Sequence, residues 1–217
     1  MGASNARLWP SMPDRIIVAV IDSGVQPTHP HIVAERLLPG LAVMADGTME
    51  EGADAAMDRL GHGTAVTAAI QEKAPEAMIL PIRVFHDALR ASPRALIAAI
   101  DRAGAAGAAF INLSLGTTNP AHAAHFAAAV ARCAARIVAP REAEGLPCWP
   151  GALDGVLAVG LDWDVPRESV RREGGAVFAS GHPRPIPGVP QRRNLHGVSF
   201  ATANVCGLAA AGVIQSF

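Results

Sequence analysis

The chain has 217 residues, 50% of them hydrophobic, enough for one domain with a buried core. A formal net charge of -1, 4% aromatic residues and no tyrosine leave no basic, base-stacking surface for nucleic acid. No run is long and apolar enough to span a bilayer, and residues 1–13 lack the basic start and apolar core of a signal peptide. Cys133, Cys148 and Cys206 are odd in number and widely spaced, without a paired metal-ligand pattern. They read as reduced thiols in a cytoplasmic protein, and neither metal nor cofactor is expected.

Arg15 to Ile21 is a short β-branched apolar run, as for a strand buried on both faces. It ends in Asp22-Ser23-Gly24, a polar tip of the kind that meets ligands at the C-terminal edge of a parallel sheet, and equally an ordinary turn. Residues 34 to 58 are mixed and expected to be irregular, with turns at Ala45-Asp46-Gly47 and Glu50-Glu51-Gly52 and solvated acidic residues between Asp46 and Asp58. Gly61-His62-Gly63-Thr64 opens a helix, its glycines giving close backbone access to the imidazole.

Met78 to Phe85 predicts a strand, and Ser92-Pro93 starts a helix that runs to about Gly104. Residues 109–113 predict a third strand with Ser114-Leu115-Gly116 at its tip. Asn119-Pro120 starts a helix ending near Arg136. Further strands are expected at 137–139, 155–160 and 176–179. Strands alternating with helices imply a three-layer α/β fold with a mostly parallel central sheet, as one domain over residues 1–217. Pro183 to Arg193, proline-rich with three arginines, reads as a surface loop, either a solvated connection or a lip of a site.

The stretch Gly197-Val198-Ser199-Phe200 places a hydroxyl at the first turn of an apolar, alanine-rich helix. Unpaired N–H groups and the positive end of the helix dipole gather there. A serine hydroxyl is a weak nucleophile at neutral pH. It needs a base to take its proton and a carboxylate to orient that base. Asp22, His62 and Ser199 supply those three chemistries, each at a strand tip or helix start.

With these residues in place, the chain resembles the subtilisin-like serine peptidases, or subtilases. The resemblance rests on Val18 to Val25 followed by His29-Pro30, on Gly61 to Thr64, and on Gly197 to Gly207. It implies an Asp22–His62–Ser199 triad, with His29 structural. Leu80 to Val84 resembles the strand before the substrate-binding region. Ser114, Leu115 and Gly116 are implied to pair with substrate backbone, and Cys148-Trp149-Pro150 with Val156 to Gly160 to floor the pocket before the scissile bond.

The family's Ala-Gly-Asn stretch, whose asparagine donates to the oxyanion, is replaced by Pro140-Arg141-Glu142-Ala143-Glu144-Gly145. Ala143 aligns best with the missing asparagine, and Glu142 is the other choice. The Ser199 backbone N–H would remain as one donor. Arg141 is the nearest cation to substitute, or else it faces solvent or pairs with Glu142 or Glu144. Ala203 and Asn204 stand where the family carries proline and histidine. No family prodomain precedes the match, and the family's C-terminal helices are missing after it. The resemblance therefore implies a minimal intracellular endopeptidase that removes a leader or pro-segment from one precursor protein. The other readings are a leader-binding pseudopeptidase and a transpeptidase that ligates or cyclises peptides.

Overall fold

The computed structural model describes residues 15–214, so the reading of residues 1–13 lies outside the described residues. Among the described residues there are eleven strands and four α-helices: three strands precede the first helix, single strands separate the first three helices, and six strands run on to the last. The central strands are β1 (Ile17–Asp22), β4 (Met78–Arg83), β5 (Phe110–Leu113), β6 (Arg136–Pro140), β9 (Leu157–Leu161) and β11 (Ala176–Ala179). They join β2 (Leu41–Val43) in a parallel sheet, and antiparallel β3 (Met49–Glu51) and β10 (Arg171–Glu173) close its two edges. The order across the sheet is β10-β11-β9-β6-β5-β1-β4-β2-β3, so β1 lies between β5 and β4 near the middle.

Strand periodicity sorts the core into two layers. Val18 and Val20 of β1 face one cluster and Ala19 and Ile21 the other; Val138 and its neighbours Ile137 and Ala139 split the same way in β6. The first layer is covered by α1 (His62–Lys73) and α4 (Val198–Ala210), the second by α2 (Pro93–Ala105) and α3 (Ala123–Arg132). Helix α2 shows how the pattern works. Ser92 Oγ accepts the Ala95 N–H at 3.0 Å, Pro93 takes the first helical position, and Leu96, Ala99, Ile100 and Ala103 form the buried stripe. Helix α4 has no polar face, being buried at every residue from Phe200 to Ala210.

Three expectations are corrected. The 34–58 stretch is not irregular throughout: it holds a 3-10 turn at Ala34–Arg36 and strands β2 and β3, so Glu50 and Glu51 are strand residues. The helix expected to reach Arg136 is a 3-10 turn (Pro120–His122) followed by α3, which stops at Arg132 because Cys133 turns extended and Arg136 must pair with Phe110. Asp58 is buried, not solvated. One element escaped the sequence reading: β7 (Glu142–Ala143) and β8 (Leu146–Pro147) form a hairpin turned by Glu144 and Gly145, both at positive φ.

Candidate active site

Asp22 ends β1, and its carboxylate is fully buried between β4 and β5. Its Oδ1 accepts the Ser23 N–H at 2.8 Å and lies 2.7 Å from His62 Nδ1. His62 comes from the first residue of α1, and its side chain is 12% exposed, leaving a small solvent-facing window. Burial pulls the imidazole pKa down, but the Asp22 hydrogen bond and the charges of Asp22 and Asp58 outweigh it, so His62 stays above its ordinary value. An imidazole so held has one nitrogen on a carboxylate and the other free to exchange protons.

The start of α1 is fastened by groups that the sequence reading passed over. Ser23 Oγ accepts the Gly63 N–H at 2.8 Å. Asp58 accepts from the Leu60, Gly61 and Thr64 N–H groups, each at 2.9 Å, and from the Thr64 hydroxyl at 2.5 Å. Asp58 thus satisfies orphan donors at the helix N-terminus and puts a second negative charge near His62. Its place just ahead of a Gly-His-Gly helix start was the available signal. Gly63 is required because a Cβ there would lie 2.2 Å from the Gly24 carbonyl oxygen.

Ser199 sits in the first turn of α4, entered through Gly197 at φ 136°. Among the described residues, no backbone acceptor meets the Ser199 N–H. The hydroxyl donates to the Ser114 carbonyl at 3.1 Å. The neighbouring Phe200 ring lies 5.5 Å from the His62 ring, centroid to centroid, so the N-termini of α1 and α4 converge. Ser180 and His182 carbonyls each accept from Asn204 Nδ2 at 3.0 Å, and Gly181 accepts the Gly197 N–H at 2.9 Å. Asn204, read from sequence as a packing change, anchors the chain that leads into the Ser199 turn.

Ser114, Leu115 and Gly116 follow β5, and Thr117 pairs antiparallel with Trp149. A Cβ on Gly116 would lie 2.4 Å from the Trp149 carbonyl oxygen and 2.5 Å from Cys148 Sγ, so this segment rests directly on Cys148. Burial pushes the Cys148 thiol up to about 11, which leaves it an uncharged lining group. Asn112 Nδ2 donates to Ser114 Oγ at 2.8 Å and steadies the start of the segment. His29 accepts the His31 N–H on its Nδ1 at 3.2 Å, a local turn contact.

The hairpin β7–β8 carries Glu142 and Ala143, the two residues that the sequence sets against the family's asparagine. Arg141, at its base, lies 3.5 Å from Glu142 and has its guanidinium carbon 5.7 Å from the Phe178 ring centroid. Val177 and Ala179 face α4, so Phe178, between them, points to the other side of β11. These contacts draw Arg141 toward Glu142 and Phe178.

The family model for subtilases matches residues 14–147, a span that contains Asp22 and His62 and ends before Ser199. No functionally curated protein matches the sequence. Among solved structures, the nisin leader peptidase NisP from Lactococcus lactis superposes with a TM-score of 0.67 at 18% identity, over 92% of this chain and 77% of its own. A lanthipeptide protease gives 0.66 at 19% identity, over 90% and 72%. The prenylagaramide maturation protease PagA gives 0.64 at 27% identity, over 90% and 74%.

Proposed function

The chain belongs to the subtilase family, and from that premise we propose that it is a serine endopeptidase that removes a leader or pro-segment from a dedicated precursor. The observation that carries this reading is the buried Asp22–His62 pair, 2.7 Å apart, at the converging N-termini of α1 and α4 with Ser199 in the first turn of α4. Ser199 Oγ attacks the scissile carbonyl, His62 takes its proton and returns it to the leaving amine, and Asp22 holds the imidazole in the matching tautomer. The unengaged Ser199 N–H, at the positive end of the α4 dipole, donates to the oxyanion. Arg141 is held as the substitute second donor only by its nearness in sequence; its contacts with Glu142 and Phe178 favour a structural role.

Ser114 to Gly116 present an open edge on which an extended substrate adds as a strand. In the free protein the Ser199 hydroxyl donates to the Ser114 carbonyl. A substrate N–H taking over that carbonyl would release the hydroxyl to His62, so strand pairing and nucleophile activation are linked. Cys148 beneath Gly116 suits a small or apolar side chain before the scissile bond.

Likeness in fold to proteins called leader peptidase and maturation protease supports processing rather than digestion. The missing asparagine donor, worth about a hundred- to a thousandfold in turnover, supports a slow, partner-directed enzyme. The narrower identification is the compact peptidase that trims the small subunit of quinohemoprotein amine dehydrogenase. Three free cysteines, two of them buried, fit a reducing cytoplasm. No helix of the described residues is long and apolar enough to cross a membrane.

The test is labelling by a fluorophosphonate with intact-mass readout, on the native protein and on Ser199→Ala. One adduct, absent in the variant, is expected. No adduct on folded protein, with or without precursor, would favour the leader-binding pseudopeptidase. The transpeptidase reading shares the acyl-enzyme, and the mass of the product, hydrolysed or ligated, separates the two.

A further inference from the structure

The proline-rich segment after β11 is either a solvated connection or a lip of the site. The structure favours a lip. Both ends are tied to the Ser199 turn, through Asn204 at Ser180 and His182 and through the Gly181–Gly197 hydrogen bond. Its middle is tied across: Asn194 Nδ2 donates to the Arg184 carbonyl at 3.3 Å, and Arg184 Nη1 donates to the His31 carbonyl at 3.0 Å. Pro183, Pro185, Pro187 and Pro190 further restrict the backbone. On this fastened segment, the 3-10 turn Gln191–Arg193 holds Arg192 and Arg193 exposed, and among the described residues neither has an ion-pair partner.

The charge around the lip is one-sided. From Gly174 to the end of the sequence there are three arginines, two histidines and no aspartate or glutamate, in a chain whose net charge is -1. Of the acids nearby, Glu72 and Glu168 pair with Arg167 and Lys73, and Asp162 pairs with Arg171. Asp164 follows the Trp163 that packs on His182 and His196, and Glu35 is the one carboxylate on the 29–36 segment that Arg184 touches. Burial, and after it the charges of Arg184 and His29, hold the His31 pKa below its ordinary value against an opposing pull from Glu72. Two exposed guanidiniums on this tied segment, without an ion-pair partner among the described residues, form a site for carboxylates.

We propose that the Arg192–Arg193 lip, with Arg184 behind it, docks an acidic segment of the peptide substrate on the leaving-group side of the scissile bond. The side follows from position. Ser114 to Gly116 flank Ser199 at the end of β5, whereas the lip flanks it from the segment after β1 and the α1–α4 layer. A strand laid along Ser114 to Gly116 would run past Ser199, and the proposal takes the lip, which reaches Ser199 from the other elements, to lie on that continuation. The proposal rests on the peptidase reading for its substrate, and it adds a selectivity that the triad does not contain.

The test uses Ser199→Ala protein and fluorescein-labelled pools of random hexapeptides, read by anisotropy. One pool is followed by Glu-Glu-Glu, a second by Gln-Gln-Gln, and a third is preceded by Glu-Glu-Glu. The Glu-tailed pool is expected to bind about three- to tenfold more tightly than the Gln-tailed pool at low salt, and the gain should largely vanish near 0.5 M salt, about where screening is complete within a few ångströms. The preference should disappear in an added R192Q/R193Q pair with unchanged thermal unfolding and survive in R192K/R193K. Equal binding of the first two pools, a preference that survives R192Q/R193Q, or an equal gain from leading glutamates would overturn the proposal. Fluorophosphonate labelling of native protein separates the two readings: labelling without a glutamate preference removes the lip alone, and a preference without labelling removes the peptidase reading alone.

Discussion

His62 carries opposing pulls whose balance sets its working pH. Burial favours the neutral ring, while the Asp22 hydrogen bond and the Asp22 and Asp58 charges favour the cation and prevail, so its folded pKa lies above 6.5. That raised value contributes stability fully below the unfolded pKa and loses it as pH rises through the folded pKa. Under the proposed mechanism reactivity runs the other way, because His62 acting as base must be neutral. The rate of fluorophosphonate labelling is therefore expected to rise with pH through a midpoint above 6.5. In Asp22→Asn the midpoint should fall, and the limiting rate should drop by about ten-thousandfold, as loss of the orienting carboxylate does in such triads. An unshifted midpoint in that variant would show that the pair is not what holds the proton. Asp58 makes a separate prediction, since its two oxygens hold four donors at the start of α1. Asp58→Asn keeps one acceptor oxygen and places an amide against the Thr64 donors. A loss of about 1.5–3 kcal/mol is expected in urea unfolding, the range for hydrogen bonds to a charged group. A change under about 0.5 kcal/mol would mean that solvent serves α1 equally well.

Between elements, the distance from His62 to Ser199 is governed by how α1 crosses α4. Gly207 makes that approach close: a Cβ there would lie 2.7 Å from Lys73 Cβ and 3.2 Å from Ile70 Cα and O, positions that no side-chain rotation relieves. Alanine would gain about 1 kcal/mol of helix propensity and lose about 1–3 kcal/mol to overpacking. Gly207→Ala should therefore lower stability slightly and, by parting the helices, slow labelling more than stability alone explains. A more stable variant with native labelling would show that the crossing has slack. The elements that could be read from the residues were those with local causes. Strands such as β1 and β4 are apolar because both faces are covered, and α2 announces itself by Ser92-Pro93 and its stripe. The hairpin β7–β8 could not be read that way, because its strands are two residues each and Glu144 takes a positive φ without being glycine. Strands β2 and β3 are three residues each; β2 is drawn into the sheet by β4, a long-range cause, and β3 pairs only with β2 at the edge.

At the scale of the molecule, alternation of strands and helices was enough to foresee layers and a parallel sheet. The strand order was not foreseeable, because β1 pairs with β4 and β5 rather than its neighbour in sequence. The same pairing makes the two core layers inseparable. β1, β4, β5 and β6 each send alternate side chains to both clusters, so neither layer keeps its strands if the other melts. Two tryptophans report on the two sides. Trp149 packs against the α2–α3 cluster, and Trp163 lies 5.0 Å from His182, beside the turn that leads to Ser199. With Trp9, which lies outside the described residues, changed to phenylalanine, each can be followed alone after Trp163→Phe or Trp149→Phe. Their denaturation curves are expected to coincide. Ile111, fully buried in the α2–α3 layer, sharpens the test. Ile111→Ala should cost about 2–5 kcal/mol and shift both probes equally, although only Trp149 reports from its own layer. A shift confined to Trp149 would mean that the layers unfold separately, and that the helix starts carrying His62 and Ser199 hold their places without the far side of the sheet.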